Sequence, residues 1–409
     1  MIRKFINSLL ERRHFWRYAT FDEVAELYAS RLLRLFALHM VSLFIVVYLY
    51  NQGYSLVFIA LYLAIYFFAK VPMSFVAAAV TAWFGPKRII LLANLMYIPA
   101  MIVFTQVPEA GASNALAVIA LFGIFQGVGA TLYDYAYMVN FSKVKHAEHA
   151  GKELGYMHII EKIASIISPI VGGLLATTFS PTVVMVVAAC LFATSALPLL
   201  RSAEPIKTRQ RIKWSGFPWR TTWRSMAAQT GIGFDVVTTG SVWSLFLLVI
   251  VFSTQQEGIY AIIGVLTAIG MAVAFISAFV FGKLIDKKAG GVLLRYGIIA
   301  KSLGHVVRPL TGNMVGAVAI NAGSEVATTA YNMAFTRGMF DVADYSGFRL
   351  TYLLCIEIAV NIGASLAAVT AALLFYLIEP QYAFMLFFVV ASGYILIIAT
   401  PRFSLYKRR

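Results

Sequence analysis

The chain has 409 residues, 60% of them hydrophobic and only 12% charged, with a mean hydropathy of +0.80. Soluble domains run nearer a quarter charged, so this composition excludes a water-soluble globular protein and indicates an all-α polytopic membrane protein. With 33 Lys and Arg against 18 Asp and Glu, the net charge of +15 would suit a nucleic-acid partner, but the placement of the basic residues argues against one.

Residues 1–31 contain no apolar core long enough for a secretory signal peptide. Ile2, Phe5, Ile6, Leu9 and Leu10 recur at helical spacing among basic residues, which fits a helix in the membrane interface or a cytosolic cap. Apolar runs of about 20 residues predict membrane spans. Twelve follow, at 32–50, 55–83, 89–106, 114–140, 155–178, 182–200, 225–253, 259–282, 292–309, 313–336, 349–377 and 382–400. Most connections are short, such as Asn51-Gln52-Gly53. One long basic connector, 201–224, divides a bundle at 32–200 from a second at 225–400, and a basic tail occupies 401–409.

Of the 33 Lys and Arg, 29 lie in the N-terminal segment through Arg34, in the connections after even-numbered spans, or in the tail. The alternate connections hold acids only, such as Glu109, Glu257 and Glu379. This asymmetry is the positive-inside pattern. It explains the net charge without nucleic acid and puts both termini in the cytosol, with a bacterial inner membrane as the expected location.

The span at 155–178 is interrupted by Glu161, Lys162 and Pro169 and carries Ala164, Ser168, Gly172 and Gly173. Small residues let helix backbones approach closely where lipid offers no hydrophobic drive. Its start, Tyr156-x-x-x-Ile160-Glu161, reads again as Tyr352-x-x-x-Ile356-Glu357, an internal repeat that includes the acid. Ionisable groups within spans are functional candidates by default. Asp134, Glu161, Glu325 and Glu357 are therefore candidate substrate or proton sites, the alternative being structural ion pairs. Lys162 is adjacent to Glu161, and Asp235 is expected to reach Arg31 or Arg34. Lys301, His305 and Arg308 share one helix face, suited to a lipid phosphate or to snorkelling outward. Tyr133, Tyr135, Tyr137, Tyr331 and Trp243 suit either a cavity for an amphiphile or packing. His146 and His149 lack a third ligand, and Cys190 and Cys355 sit in apolar runs, so no metal site or disulfide is expected. No phosphate-binding Gly-x-x-x-x-Gly-Lys-Ser/Thr loop is present, and no nucleophile has a base and an orienting group. Neither a cofactor nor an enzymatic activity is expected.

Two sets of six spans, a basic central connector and a weak internal repeat resemble the major facilitator superfamily. Three local motifs sharpen the resemblance. Ala78-x-x-x-Ala82-x-x-Gly85-x-Lys87-Arg88 is similar to the family's Gly-x-x-x-Asp-x-x-Gly-x-Arg-Arg loop without its first Gly and its Asp. Gly282-Lys-Leu-Ile-Asp286-Lys-Lys-Ala289 in the second half keeps the Asp. Gln126-Gly127-Val-Gly129-Ala130 resembles the family's Arg-x-x-Gln-Gly-x-Gly-Ala, with Gly123 at the Arg position, a departure from the standard proton-coupled pattern. Gly155, Ala164, Ser168, Pro169, Gly172 and Gly173 match the spacing of the antiporter motif of drug exporters.

The resemblance implies two six-helix halves with pseudo-two-fold symmetry and alternating access to a midplane site between them. It implies spans one, four, seven and ten around the cavity, a small organic or amphiphilic substrate, and protons as the coupling ion. Export is implied by the antiporter-like span, and a monomer is expected. Spans two and eleven are neighbours across the halves in the family, so Lys70 and Glu357 are implied as a gate pair, with Asp235, Arg34 and Asp286 as further gate residues. Two other readings are a lipid or lysolipid translocase on the same fold and a non-transporting receptor or scaffold.

Overall fold

A computed structural model describes residues 21–107, 111–144, 150–200, 212–252 and 258–406. The expected interfacial segment up to residue 20, Glu109, His146, His149, Glu257, the connector up to residue 211 and the last three residues lie outside the described residues. Twelve long helices occur in chain order among the described residues. They are α1 (Phe21–Asn51), α2 (Leu56–Phe84), α3 (Pro86–Thr105), α4 (Gly111–Val144), α5 (Ala150–Thr178) and α6 (Pro181–Ala196). After the connector come α7 (Trp219–Val251), α8 (Ile259–Asp286), α9 (Gly290–Val307), α10 (Met314–Tyr345), α11 (Arg349–Leu377) and α12 (Pro380–Tyr394).

The sequence marks these boundaries. Ser55, Ser180 and Asn313 cap α2, α6 and α10, each accepting a backbone N–H three residues on. Pro86, Pro181 and Pro380 occupy first-turn positions, where the missing N–H costs nothing. Gly53, at φ +87°, turns the chain between α1 and α2.

Among the described residues nine helices are long and apolar enough to cross a membrane. The three that fall short, α5, α9 and α10, carry charge inside the bundle: Glu161 and Lys162, Lys301 and His305, and Glu325. Two apolar cores form, one toward each end. Lys70 on α2, Asn94 on α3, Glu325 on α10 and Glu357 on α11 each fall between the stretches their helix gives to the two cores. The bundle is thus a polar layer between apolar layers.

The first candidate span, Ala29–Asn51, agrees with the expected 32–50, and its helix extends back to Phe21; Arg31 and Arg34 lie within that helix, both buried against partners on other helices.

The most extensive pairings between the first six helices and the last six are α5 with α8 and α2 with α11. A Cβ on Gly264 of α8 would lie 2.5 Å from the Pro169 carbonyl oxygen of α5, and one on Gly173 would lie 2.8 Å from the Tyr260 carbonyl oxygen. The small residues of α5, with Gly172 also buried, therefore serve this crossing. Gly155 lies in the first turns of α5, whose side-chain surroundings are outside the described residues. Polar links join the two sets of helices at several depths. Tyr135 Oη donates to the Leu350 carbonyl at 2.9 Å near the basic end, and Ser365 Oγ to the Ala64 carbonyl at 3.1 Å in the middle. At the opposite end Asn51 Nδ2 donates to Tyr260 Oη at 3.0 Å.

Candidate functional site

A cavity of 520 Å³ occupies the polar layer, within the usual size range of small-molecule sites. Its wall comes mainly from α1, α2 and α4, with Tyr97 of α3 and Glu161 of α5, and Ser241 of α7 and Glu357 of α11 face it from the second set of helices. On α4, Gly129 is tight, since a Cβ there would lie 2.8 Å from the Tyr97 ring of α3, whereas Gly127 lies in ordinary contact with Tyr66 and the Lys70 stem of α2. Ser241 sits in a π-helical turn, Thr238–Val242, one of two that interrupt α7. Such turns shift helix register and recur at functional sites.

The charges on this wall form two ion pairs. Arg31 lies 3.6 Å from Glu161, and its guanidinium covers the Tyr137 ring at 3.7 Å. Lys70 lies 3.4 Å from Asp134, whose side chain is half exposed to the cavity. Two charged groups remain outside those pairs. Arg34, 1% exposed, donates to Asn94 Oδ1 at 2.9 Å and lies over the Tyr133 ring at 3.7 Å. Among the described residues it has no carboxylate at ion-pair distance, and its Nε has no hydrogen-bond partner. Glu357 is buried and accepts a hydrogen bond at 2.9 Å from Asn361, one turn along its own helix. It too has no ion-pair partner among the described residues.

Lys70 lies at ion-pair distance from Asp134 rather than from Glu357, the gate partner that the resemblance implies. The Lys70 stem passes beside Gly127 of α4 on its way to Asp134. Among the described residues, an ion pair bridges the two sets of helices between Lys162 of α5 and Glu325 of α10, at 3.5 Å; Lys162 also lies 3.4 Å from Met271 Sδ of α8. Adjacent residues Glu161 and Lys162 thus diverge, one toward α1 and the other toward α10. The repeated acids Glu161 and Glu357 occupy different surroundings despite their shared sequence frame.

Asp235 reaches neither Arg31 nor Arg34. It lies 3.3 Å from Lys301 and 2.8 Å from His305, and Tyr331 Oη donates to it at 2.6 Å. Lys301 also donates to Thr239, Ser324 and Thr328, at 3.0, 2.7 and 2.8 Å. Arg308 contacts His305 Nδ1 at 3.1 Å and donates to Ser324 at 3.0 Å. The basic face of α9 therefore points into the bundle and is wholly buried, where an outward, lipid-directed stripe was expected. Partners on α7 and α10 make the inward orientation affordable.

A family model described as Major Facilitator Superfamily matches residues 27–352. The chain belongs to the Major Facilitator Superfamily. Solved structures of superfamily fold agree with this. The human organic anion transporter MFSD10 (TETRAN) superposes with a TM-score of 0.71 at 10% identity, covering 94% of this chain and 99% of that one. A bacterial homologue of the iron transporter ferroportin, in an outward-facing state, gives 0.67 at 13%, covering 93% and 98%. The fucose:proton symporter FucP of E. coli gives 0.62 at 15%, covering 92% and 97%. At these identities the likeness concerns the fold. No curated protein sequence matches the chain.

With the superfamily fold established, the remaining motif residue can be placed. Asp286 is the last residue of α8, half-buried at the basic end. Among the described residues no cluster of His, Cys, Asp and Glu is arranged to hold a metal ion. The cavity groups least legible in the sequence are Arg34, Gln126 and Ser241, together with Asn94 as the partner of Arg34. Polar residues within apolar runs were the available signal.

The Lys162–Glu325 pair predicts measurable coupling between the halves. Lys162→Gln and Glu325→Gln should each lower the unfolding midpoint in detergent, and a double-mutant cycle should give a coupling of about 1–2 kcal/mol. The exchanged pair Lys162→Glu with Glu325→Lys should recover much of the loss. Strictly additive losses would show that the two side chains do not interact.

Proposed function

We propose that the protein is a secondary active transporter that carries a small organic anion with an apolar body, together with a proton, by alternating access to the 520 Å³ cavity. The observation that carries this reading is the pair of groups outside the ion pairs. Arg34 is a buried guanidinium with no carboxylate at ion-pair distance, and Glu357 is a buried carboxyl with no cation at ion-pair distance, among the described residues. Uncompensated charge within a membrane is costly. A substrate carboxylate or phosphate supplies the countercharge of Arg34 in the planar, two-pronged geometry that guanidinium favours. A proton on Glu357 cancels the remaining acid. With Arg31 balanced by Glu161 and Lys70 by Asp134, the site is neutral when empty and neutral again when it holds one anion and one proton. The aromatic wall of Tyr62, Tyr66, Tyr133 and Tyr137 receives the apolar body.

In this reading Glu357 is the proton carrier and Asp134 and Glu161 hold their cations in place, while Glu325 works with Lys162 between the halves. The basic end faces the cytosol of a bacterial cell with both termini, the protein acts as a monomer, and it needs no cofactor. Anion and proton reinforce one another in such a cavity, which favours cotransport. Export by exchange is the second reading, supported by the antiporter-like spacing in α5. The same small residues also serve the α5–α8 crossing.

Proteoliposomes containing a pH-sensitive dye test the proposal directly. Inward gradients of small aryl or alkyl carboxylates and phosphates should acidify the lumen. Arg34→Gln should lose on the order of a hundredfold in kcat/KM, as for removal of one partner of a buried charge pair. Glu357→Gln should move the anion without moving protons. Lumen alkalinisation on addition of organic cations, with no response to anions, would replace cotransport with cation exchange.

A further inference from the structure

The basic end holds a second hollow, of 300 Å³, that the transport cavity does not use. Arg220 and Arg224 at the start of α7 and Arg402 beyond α12 line it, with Val342 of α10 closing one side. None of the three arginines has an acid at ion-pair distance among the described residues. Neighbouring basic residues do find acids: Arg337 pairs with Asp341, and Arg349 with Asp344. The hydroxyls in the hollow are already engaged, since Thr221 donates to the Pro218 carbonyl and Ser225 to that of Thr222. The guanidinium groups are therefore the donors left for a ligand. Thr400 Oγ1 donates to the Arg224 carbonyl at 3.1 Å, which fixes the segment leading to Arg402 against α7.

The local sequence is Trp219-Arg220-Thr221-Thr222-Trp223-Arg224. Residues four apart stack on one helix face, so it makes a tryptophan stripe beside an arginine stripe. Trp219 and Trp223 are 52% and 51% exposed, and Trp214 stacks on Trp219 with ring centroids 6.4 Å apart. Exposed indoles at the end of a span sit at the headgroup level of a bilayer. Arginines one position along are then at the depth of the lipid phosphates.

We propose that this hollow binds the phosphate of an anionic phospholipid headgroup, held by Arg220, Arg224 and Arg402 and rimmed by Trp219 and Trp223. The chemistry recognised is a phosphate mono- or diester. The tryptophan rim assigns its source to the bilayer rather than to solution. Occupancy would join α7, α10 and the segment after α12, three parts of the second half, through one ligand.

Native mass spectrometry of the full-length protein released from detergent tests this, with titrations of cardiolipin, phosphatidylglycerol, phosphatidylcholine and inorganic phosphate. The expected result is anionic-lipid adducts at much lower dose than phosphatidylcholine adducts. Each of R220Q, R224Q and R402Q should weaken anionic-lipid binding about fivefold, and all three together about a hundredfold, as for basic residues near a charged bilayer surface. Phosphatidylcholine adducts should not change. R402Q lies outside the helices and keeps the test open if the triple variant folds poorly. Anionic-lipid affinity unchanged in all three single variants would overturn the site. Displacement of the lipid by micromolar inorganic phosphate would overturn its assignment to the bilayer and leave a soluble-phosphate site.

Discussion

Replacing Asp235 with Ala is expected to destabilise the folded protein by about 3–5 kcal/mol, the range for removing one partner of a buried ion pair. Asp235 is 3% exposed and serves Lys301, His305, Tyr331 and Thr239 at once. Its loss leaves Lys301 and Arg308, both at 0% exposure, without an acid at ion-pair distance among the described residues. Hydroxyls on Thr239, Ser324 and Thr328 still accept from Lys301, but neutral acceptors do not replace a countercharge in a medium of low dielectric. The effect should extend to the cavity. Asp235 anchors Thr239 in the π-turn of α7, and that turn presents Ser241. The measurement is the denaturation midpoint in mild detergent. Asp235→Asn, which keeps much of the hydrogen bonding, should lie between Asp235→Ala and the parent. Adding Lys301→Met to Asp235→Ala should restore part of the loss, because removing both partners of a buried pair costs far less than removing one. A parent-like midpoint for Asp235→Ala would mean that the cluster contributes no net stability.

That cluster also shows where sequence reading stops. Lys301, His305 and Arg308 are legible as one face of a helix from spacing alone. Which way the face points is not. In water a basic stripe marks the solvent side, but in a membrane the lipid and the protein interior are both apolar. Only the acid and hydroxyls on α7 and α10 decide the orientation, and their convergence is a tertiary fact. Asp235 was assigned to Arg31 or Arg34 by nearness in depth, whereas rotation of α7 turns it toward α9. The surroundings of Arg31 and Arg34 at the inner end of α1 are illegible for a related reason. Arg31 and Arg34 look like the end of a span until Glu161, Asn94 and the faces of Tyr133 and Tyr137 are seen around them. The spans, by contrast, follow from a local property, the length of apolar runs, and their ends follow from local caps. Within the site, the acids were legible because charge is rare in such runs. Their partners were not, since Glu161 and Lys162 are neighbours in the chain yet bind groups on different helices.

Gly264→Leu should be the second severe substitution. Even a methyl at this position would sit 2.5 Å from the Pro169 carbonyl oxygen. That neighbour is backbone within a helix, so it cannot rotate away as a side chain would. The helices must separate, and the crossing they form is the most extensive contact between the two sets of helices. Overpacking of this kind costs about 1–3 kcal/mol and can cost more. Transport should suffer beyond the loss in stability. In the proposed alternating access α5 and α8 stay in contact while the halves rock, so a side chain wedged between them should bias the protein toward whichever state holds the crossing more open. Gly323→Ala is the matched control, since a Cβ there meets nothing within 4 Å. It should leave the stability unchanged or raise it by up to about 1 kcal/mol through helix propensity. Measured together, a large fall for Gly264→Leu with none for Gly323→Ala locates the constraint at the α5–α8 crossing. A Gly264→Leu protein with parent stability and parent flux would show instead that the halves meet there loosely, and that the small residues of α5 serve something other than packing.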